Sequence, residues 1–315
     1  RIFKLLRVHA NVARGTLAQL TRSSPTALAS LRVIISGTFL LSTILTSFSD
    51  LARLPVTLLV PTGLLKLLPW RFYDRLFTPL GMNAFKWALV LSLLMSTLGW
   101  FSPVTTKTSA LLVLFYQGLV RSFGHFNHDE IIAVYFLIVL AFSPCADRLA
   151  VDSRLARPGT KPRFAYGYPI LLMQGLLAWS YFSSAIIKLR VSGLGYFSPD
   201  NLPALAIAQS LDNLHDTHFQ LAFWLPAIRQ YTPIAIALVM IWELAFPLAI
   251  FWKRSRWVIL GFGLVFHLAT LLLLNFLFAY TLAMYAVFID WRCLHVWFRR
   301  RLVRSKRRRW KASFG

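Results

Sequence analysis

Apolar residues along this chain gather in blocks rather than alternating with polar ones. The stretches 33–47, 87–101, 109–120, 131–143, 170–187, 234–252, 257–274 and 276–289 are nearly free of charge. A helix of roughly 20 residues crosses a bilayer core, or a few fewer with snorkelling flanks. The other way across, a closed barrel, needs period-two alternation, which these blocks lack. The pattern therefore predicts an all-α fold, a polytopic transmembrane helical bundle of about eight spans. The long segment 48–83 repeats Leu and Pro with few charges, and 201–231 reads the same way. Both are expected to lie in the membrane interface.

Composition strengthens this picture. Hydrophobic residues make up 57% and charged residues 14% of the 315, against about 25% charged in soluble domains. Too little polar surface is available to face water on all sides. Cys145 and Cys293 are the only cysteines, too few for a disulfide framework or a zinc set. They read as free thiols. No phosphate-cradling glycine loop, nucleophile elbow or CxxC pair occurs. Gly261 and Gly263 form a Gly-x-Gly inside a span, where close helix packing explains it.

Charge orients the bundle. The net charge is +23. Most Lys and Arg fall at the two ends and in the loops 102–108, 145–165 and 253–256. The opposite side holds only Arg53, Lys66, Arg71, Arg75, Lys86, Arg121, Arg190 and Arg229. By the positive-inside rule the basic side is cytoplasmic, and an even span count puts both termini there. The chain is expected to comprise a basic cytoplasmic segment 1–27, one transmembrane domain over 28–292, and a basic cytoplasmic tail 293–315. No signal peptide is evident at the start. The tail, with Arg299, Arg300, Arg301, Arg304, Lys306, Arg307, Arg308, Arg309 and Lys311, is expected to anchor on acidic lipid headgroups and not on nucleic acid.

Ionisable groups within spans are costly and mark function. Gln174, Tyr181, Ser184 and Lys188 fall on one helical stripe, which is expected to face the bundle interior. His125 and His128, beside Asp129 and Glu130, open the fourth span; the spacing reads as a polar helix start rather than a metal site. The orientation puts His128 and Lys188 at one membrane face, which allows a direct hydrogen bond. Glu243 lies deep in a span, and Pro247 at i+4 frees its backbone acceptor. His267, in the next span, sits at similar depth by helical rise, so a Glu243–His267 contact is expected, either as a relay or as a packing pair. Arg32, Asp50, Asp152 and Asp290 read as boundary or packing residues.

These residues resemble a known family. Tyr181-Phe182-Ser183-Ser184-Ala185-Ile186-Ile187-Lys188-Leu189 is similar to the YF-x-A-G-x-x-K-L segment of the vitamin K-dependent gamma-carboxylases and their bacterial relatives, the horizontally transferred transmembrane (HTTM) family. Asn127-His128, Ser143-Pro144, Ala150-Val151-Asp152, Glu243-Leu244-Ala245-Phe246-Pro247 and Phe266-His267 resemble its other motifs in order and spacing, over about residues 28–292. The segment 190–202 looks more like short bacterial members whose reactions are unassigned. The resemblance implies a bacterial inner-membrane enzyme with Lys188 as base and His128 as its partner. The polar stripe then predicts an outward-facing site lined by Tyr181, Ser184 and Gln174, with His125 as a further substrate-binding candidate. The resemblance also implies a reduced quinone, vitamin K-like, as cofactor, and a peptide or lipid as substrate. A lysine in apolar surroundings can present a neutral amine as a base. Two other classes stay open: a non-enzymatic docking or maturation factor, and a proton-coupled transporter using Glu243 and His267.

Overall fold

In a computed structural model, residues 23–124, 128–155, 162, 164–212 and 221–297 are described, and they contain helices and turns but no strand. They divide into two compact units, one within Arg1–Leu171 and Ala286–Gly315, the other Leu172–Tyr285.

The first unit contains α1 (Pro25–Leu45), the short α2 (Phe48–Ala52) and α3 (Trp70–Leu76), α4 (Pro79–Leu98), α5 (Ser102–Ser122), α6 (His128–Ala141) and α7 (Asp152–Leu155). The long α8 (Phe164–Ser192) contributes to both units. The second unit continues with α9 (Asn201–Asp212), a 3-10 segment Leu221–Tyr231, α10 (Thr232–Ala245), α11 (Leu248–Phe251), α12 (Lys253–Leu274) and α13 (Ala279–Met284).

A hydroxyl residue followed by proline opens several of these helices. Ser24 caps α1 ahead of Pro25, and Thr78 caps α4 ahead of Pro79, each side chain accepting from a first-turn N–H. Ser102-Pro103 and Thr232-Pro233 begin α5 and α10. Proline suits this place because its missing N–H would have no helical partner there. Gly99 ends α4 at φ 73°, the left-handed region that glycine enters without a steric penalty.

The eight charge-poor blocks fall mainly on helix, and among the described residues five helices are long and apolar enough to cross a membrane: Pro25–Leu45, Pro79–Leu98, Phe164–Phe197, Leu221–Ala245 and Lys253–Leu274. The others depart from the expected span for separate reasons. The α5 helix has 21 residues but carries several hydroxyls and Gln117. The apolar helices Glu130–Ala141 and Ala279–Phe288 are short. Pro247 breaks the block 234–252 into α10 and α11.

In the first unit α1 packs on α4 and α6, α4 on α5, and α5 on α6. The core holds Leu28, Ile35, Phe39, Met82, Leu93 and Phe136. The connection between α2 and α4 keeps Tyr73 buried, its hydroxyl donating to Leu65 O at 2.5 Å. Burial pushes that phenol's pKa up. The same connection leaves Leu58, Val60, Leu64, Leu67 and Trp70 exposed, a surface that suits an apolar interface.

Arg32 is the fold's least expected core residue, with 0% of its surface exposed. Its guanidinium donates to the carbonyls of Ser96, Thr97 (3.1 Å), Cys145 (3.4 Å) and Leu149 (2.6 Å). A helix end leaves its last carbonyls without partners. Here Arg32 takes Ser96 O and Thr97 O, Val151 N–H takes Leu98 O, and Asp152 N–H takes Gly99 O. The Asp152 carboxylate in turn accepts from the N–H groups of Phe101 and Ser102, capping α5. A Cβ on Gly99 would lie against Ala150 and 2.7 Å from Arg32 Nη1.

Candidate functional site

The stripe on α8 faces inward in the second unit. Tyr181 is buried, and Ser184 and Lys188 lie one and two turns further along the same helix. Gln174 is also buried, about two turns before Tyr181. From α10 comes Glu243, 3% exposed. Lys188 Nζ donates to Glu243 Oε1 at 2.6 Å, and Ser184 Oγ donates to the same oxygen at 3.4 Å. The lysine side chain keeps 26% of its surface, the glutamate 4%. The pair is therefore open at the lysine and closed at the carboxylate. The ammonium also lies 5.8 Å over the Tyr196 ring, within cation–π range. Glu243 Oε2 is buried and has no hydrogen-bond partner among the described residues.

The end of α10 is arranged as the proline rule requires. The helix stops at Ala245, and Phe246 N–H reaches Glu243 O at a long 3.4 Å. Trp242, beside Glu243, donates through Nε1 to Ile259 O at 2.8 Å. That bond locks α10 against α12 and fixes the azimuth of Glu243.

A second polar chain runs beside the pair. Tyr181 Oη lies 2.6 Å from His267 Nε2 and 2.8 Å from Tyr285 Oη. The imidazole tautomer decides which atom donates. His267 Nδ1 is buried without a partner among the described residues. Rings wall the chain: Phe246 stacks on Tyr181 at 4.3 Å, Trp242 meets it edge-on at 4.7 Å, and Phe278 lies 5.0 Å from His267. Two buried polar atoms thus sit unsatisfied in largely aromatic surroundings. An unsatisfied buried polar atom costs about 1–3 kcal/mol and calls for an explanation, such as a ligand group or water.

The expected Glu243–His267 contact is replaced by two others. Glu243 and His267 do not bond each other; Glu243 takes Lys188 and His267 takes Tyr181. Helical rise sets depth only, and the long lysine stem reaches the carboxylate first. The Lys188–His128 hydrogen bond concerns the His128 side chain, which lies outside the described residues, as does His125. Among the described residues no group of His, Cys, Asp and Glu is arranged to hold a metal. Tyr285 is the site residue that sequence reasoning missed. Its signal was Gly263, where a Cβ would meet the Tyr285 hydroxyl and lie 2.9 Å from Trp242 Cζ2.

Gly263→Ala is accordingly expected to push Tyr285 off Tyr181 and to lower stability by about 1–3 kcal/mol, the usual effect of overpacking. Tyr285→Phe removes the colliding hydroxyl. The double variant should regain most of the lost thermal stability in detergent melts. Equal melting of Gly263→Ala and the parent chain would refute the close packing.

These features define a class: an all-helical protein with several helices apolar enough to be membrane-embedded, carrying a buried ion pair and a tyrosine–histidine chain. No protein-family model, curated protein or solved structure matches the chain.

Proposed function

We propose that the chain is a membrane enzyme of the HTTM kind that exchanges a proton with a weakly acidic hydroxyl on a membrane-accessible, quinol-like substrate. The observation that carries this reading is the 2.6 Å Lys188–Glu243 contact, exposed only at the lysine. Glu243 is the lysine's partner among the described residues. The Lys188 proton passes along the existing hydrogen bond to Glu243 Oε1, leaving a neutral amine. Burying two charges penalises the ion pair and not its neutral counterpart, so the transfer is less uphill here than in water. Lys188 Nζ then accepts the substrate hydroxyl proton as a general base. The aromatic wall of Tyr181, Phe246 and Trp242 suits a flat ring. Glu243 Oε2 and His267 Nδ1, buried without partners among the described residues, give the depth of the site its polar character. A reduced quinone held there would supply an acidic ring hydroxyl.

The test is native mass spectrometry of lipids and quinones retained by the purified chain. The reading expects a quinol-like compound that is lost from Lys188→Ala. Equal retention in both proteins would overturn the assignment of the site. The hydrogen-bonded Tyr181–His267–Tyr285 chain favours one other reading, a proton-coupled transporter. That reading makes Glu243→Gln the most damaging change and ties flux to the proton gradient.

The proposed setting is a bacterial inner membrane crossed about eight times, with both basic ends in the cytoplasm. Cys293 reports on it. Its thiol is exposed, and Asp290, accepting from Sγ at 3.4 Å, pushes its pKa up. A membrane-impermeant maleimide should label Cys293 in inverted vesicles and not in intact cells. Labelling should quicken as pH rises from 7 to 9, because the thiolate is the nucleophile. Asp290→Asn should speed labelling at pH 7 several-fold. Cys145, buried and likewise raised by desolvation, should stay unlabelled. Labelling in intact cells would reverse the orientation.

A further inference from the structure

At one end of the first unit lies an open cleft of about 910 Å³, remote in sequence from the residues of the ion-pair site. Its walls bring together Arg148 and Arg154 from the connection after α6 and Arg292 and His295 from the far end of the described chain. None of the three arginines forms an ion pair with a carboxylate among the described residues. The neighbouring acids are engaged elsewhere. Asp152 caps α5, Asp147 accepts from the Tyr166 hydroxyl at 2.7 Å, and Asp290 accepts from Cys293 N–H at 3.1 Å. These contacts are with uncharged donors, and no ion pair holds the three guanidinium groups among the described residues.

Ser24, which caps α1, Thr26 in its first turn and Ser153 complete the polar lining. A 21-residue helix presents the positive end of its dipole there. Leu98 and Leu149 form an apolar wall beside the arginines. Guanidinium forks match the oxygens of a phosphate group, and several can share one anion.

We propose that this cleft binds a phosphate group, carried either on an acidic lipid or on a free phosphate compound. Arg148, Arg154 and Arg292 contact its oxygens, and His295 donates from its ring N–H. This differs from a diffuse attraction of the basic tail 299–311 to a charged surface. It predicts saturable binding of one ligand that depends on three arginines outside that tail.

The test uses the full chain purified in detergent. Native mass spectrometry follows the first bound lipid when phosphatidylglycerol or phosphatidylcholine is added. Thermal melting follows inorganic phosphate at millimolar concentration. The three arginines are exposed, so Arg148→Gln/Arg154→Gln/Arg292→Gln should fold. A tail variant, Arg307→Gln/Arg308→Gln/Arg309→Gln, separates the two basic regions. A lipid source predicts phosphatidylglycerol bound about tenfold tighter than phosphatidylcholine, with the preference lost in the cleft variant and kept in the tail variant. A free-phosphate source predicts that phosphate raises the melting temperature of the parent and not of the cleft variant. A response to both probes, lost in the cleft variant, makes the phosphate group itself the recognised feature. The proposal is overturned if the cleft variant responds like the parent to both probes, or if only the tail variant loses the lipid preference.

Discussion

Lys188→Ala is expected to abolish function while the protein still inserts and accumulates at a reduced level. The reduction comes from Glu243, which the substitution strands as a buried carboxylate with only the long Ser184 contact left. Breaking a buried ion pair on one side costs about 3–5 kcal/mol, whereas replacing both partners by apolar groups is often close to neutral. The double variant Lys188→Met/Glu243→Leu should therefore recover most of the lost stability and none of the activity. This separation makes the experiment decisive. A purely structural pair would recover both together. Lys188→Arg is a useful companion, because it keeps the charge and cannot serve as a neutral base. It should retain stability and lose activity. A mild effect of every substitution on function would instead favour a docking or maturation role.

The second large effect is expected at Arg32. Arg32→Met preserves apolar bulk and removes every donor to the carbonyls of Ser96, Thr97, Cys145 and Leu149. Leaving buried acceptors unsatisfied costs about 1–3 kcal/mol each. Losses at one cluster are not additive, so roughly 3–5 kcal/mol is expected. That would lower the melting temperature of the first unit and expose Cys145 to maleimide. Arg32→Lys should rescue only partly, because one ammonium cannot span four carbonyls in the guanidinium's fixed fork. An Arg32→Met protein that melts with the parent would show that water or relaxation replaces the tie.

Residue spacing made part of this site legible. Tyr181, Ser184 and Lys188 lie on one face because the helix repeats that way, and a polar stripe in an apolar helix turns inward. Glu243 stood out as a carboxylate deep in an apolar block, and Pro247 at i+4 announced the helix break. The pairing was not legible. Depth along a helix axis follows from counting, whereas azimuth depends on contacts such as the Trp242–Ile259 hydrogen bond. Tyr285 was hidden because a tyrosine in an apolar block reads as ordinary core, and only the facing Gly263 marks it. Arg32 read as a boundary or packing residue and no more, because its acceptors are backbone carbonyls, which leave no trace in side-chain identity. Absence of charge marked the helices but not their lengths, so five of them meet the length and hydropathy of a span among the described residues.

The Arg32 tie also bears on how the chain is made. Its partner Leu149 lies 117 residues downstream. At synthesis rates of roughly 5–20 residues per second, that carbonyl emerges about 6–23 s after the arginine. The carbonyls of Ser96 and Thr97 follow 64 and 65 residues after the arginine, so the set that solvates the guanidinium is complete only at the end of this interval. Until then α1 must leave Arg32 in water, at a headgroup phosphate, or within the insertion machinery. Burial of the guanidinium then becomes a late event that closes the first unit only when the connection after α6 is complete. A ribosome stalled before residue 149 should leave α1 extractable from the membrane, and one stalled well beyond it should not.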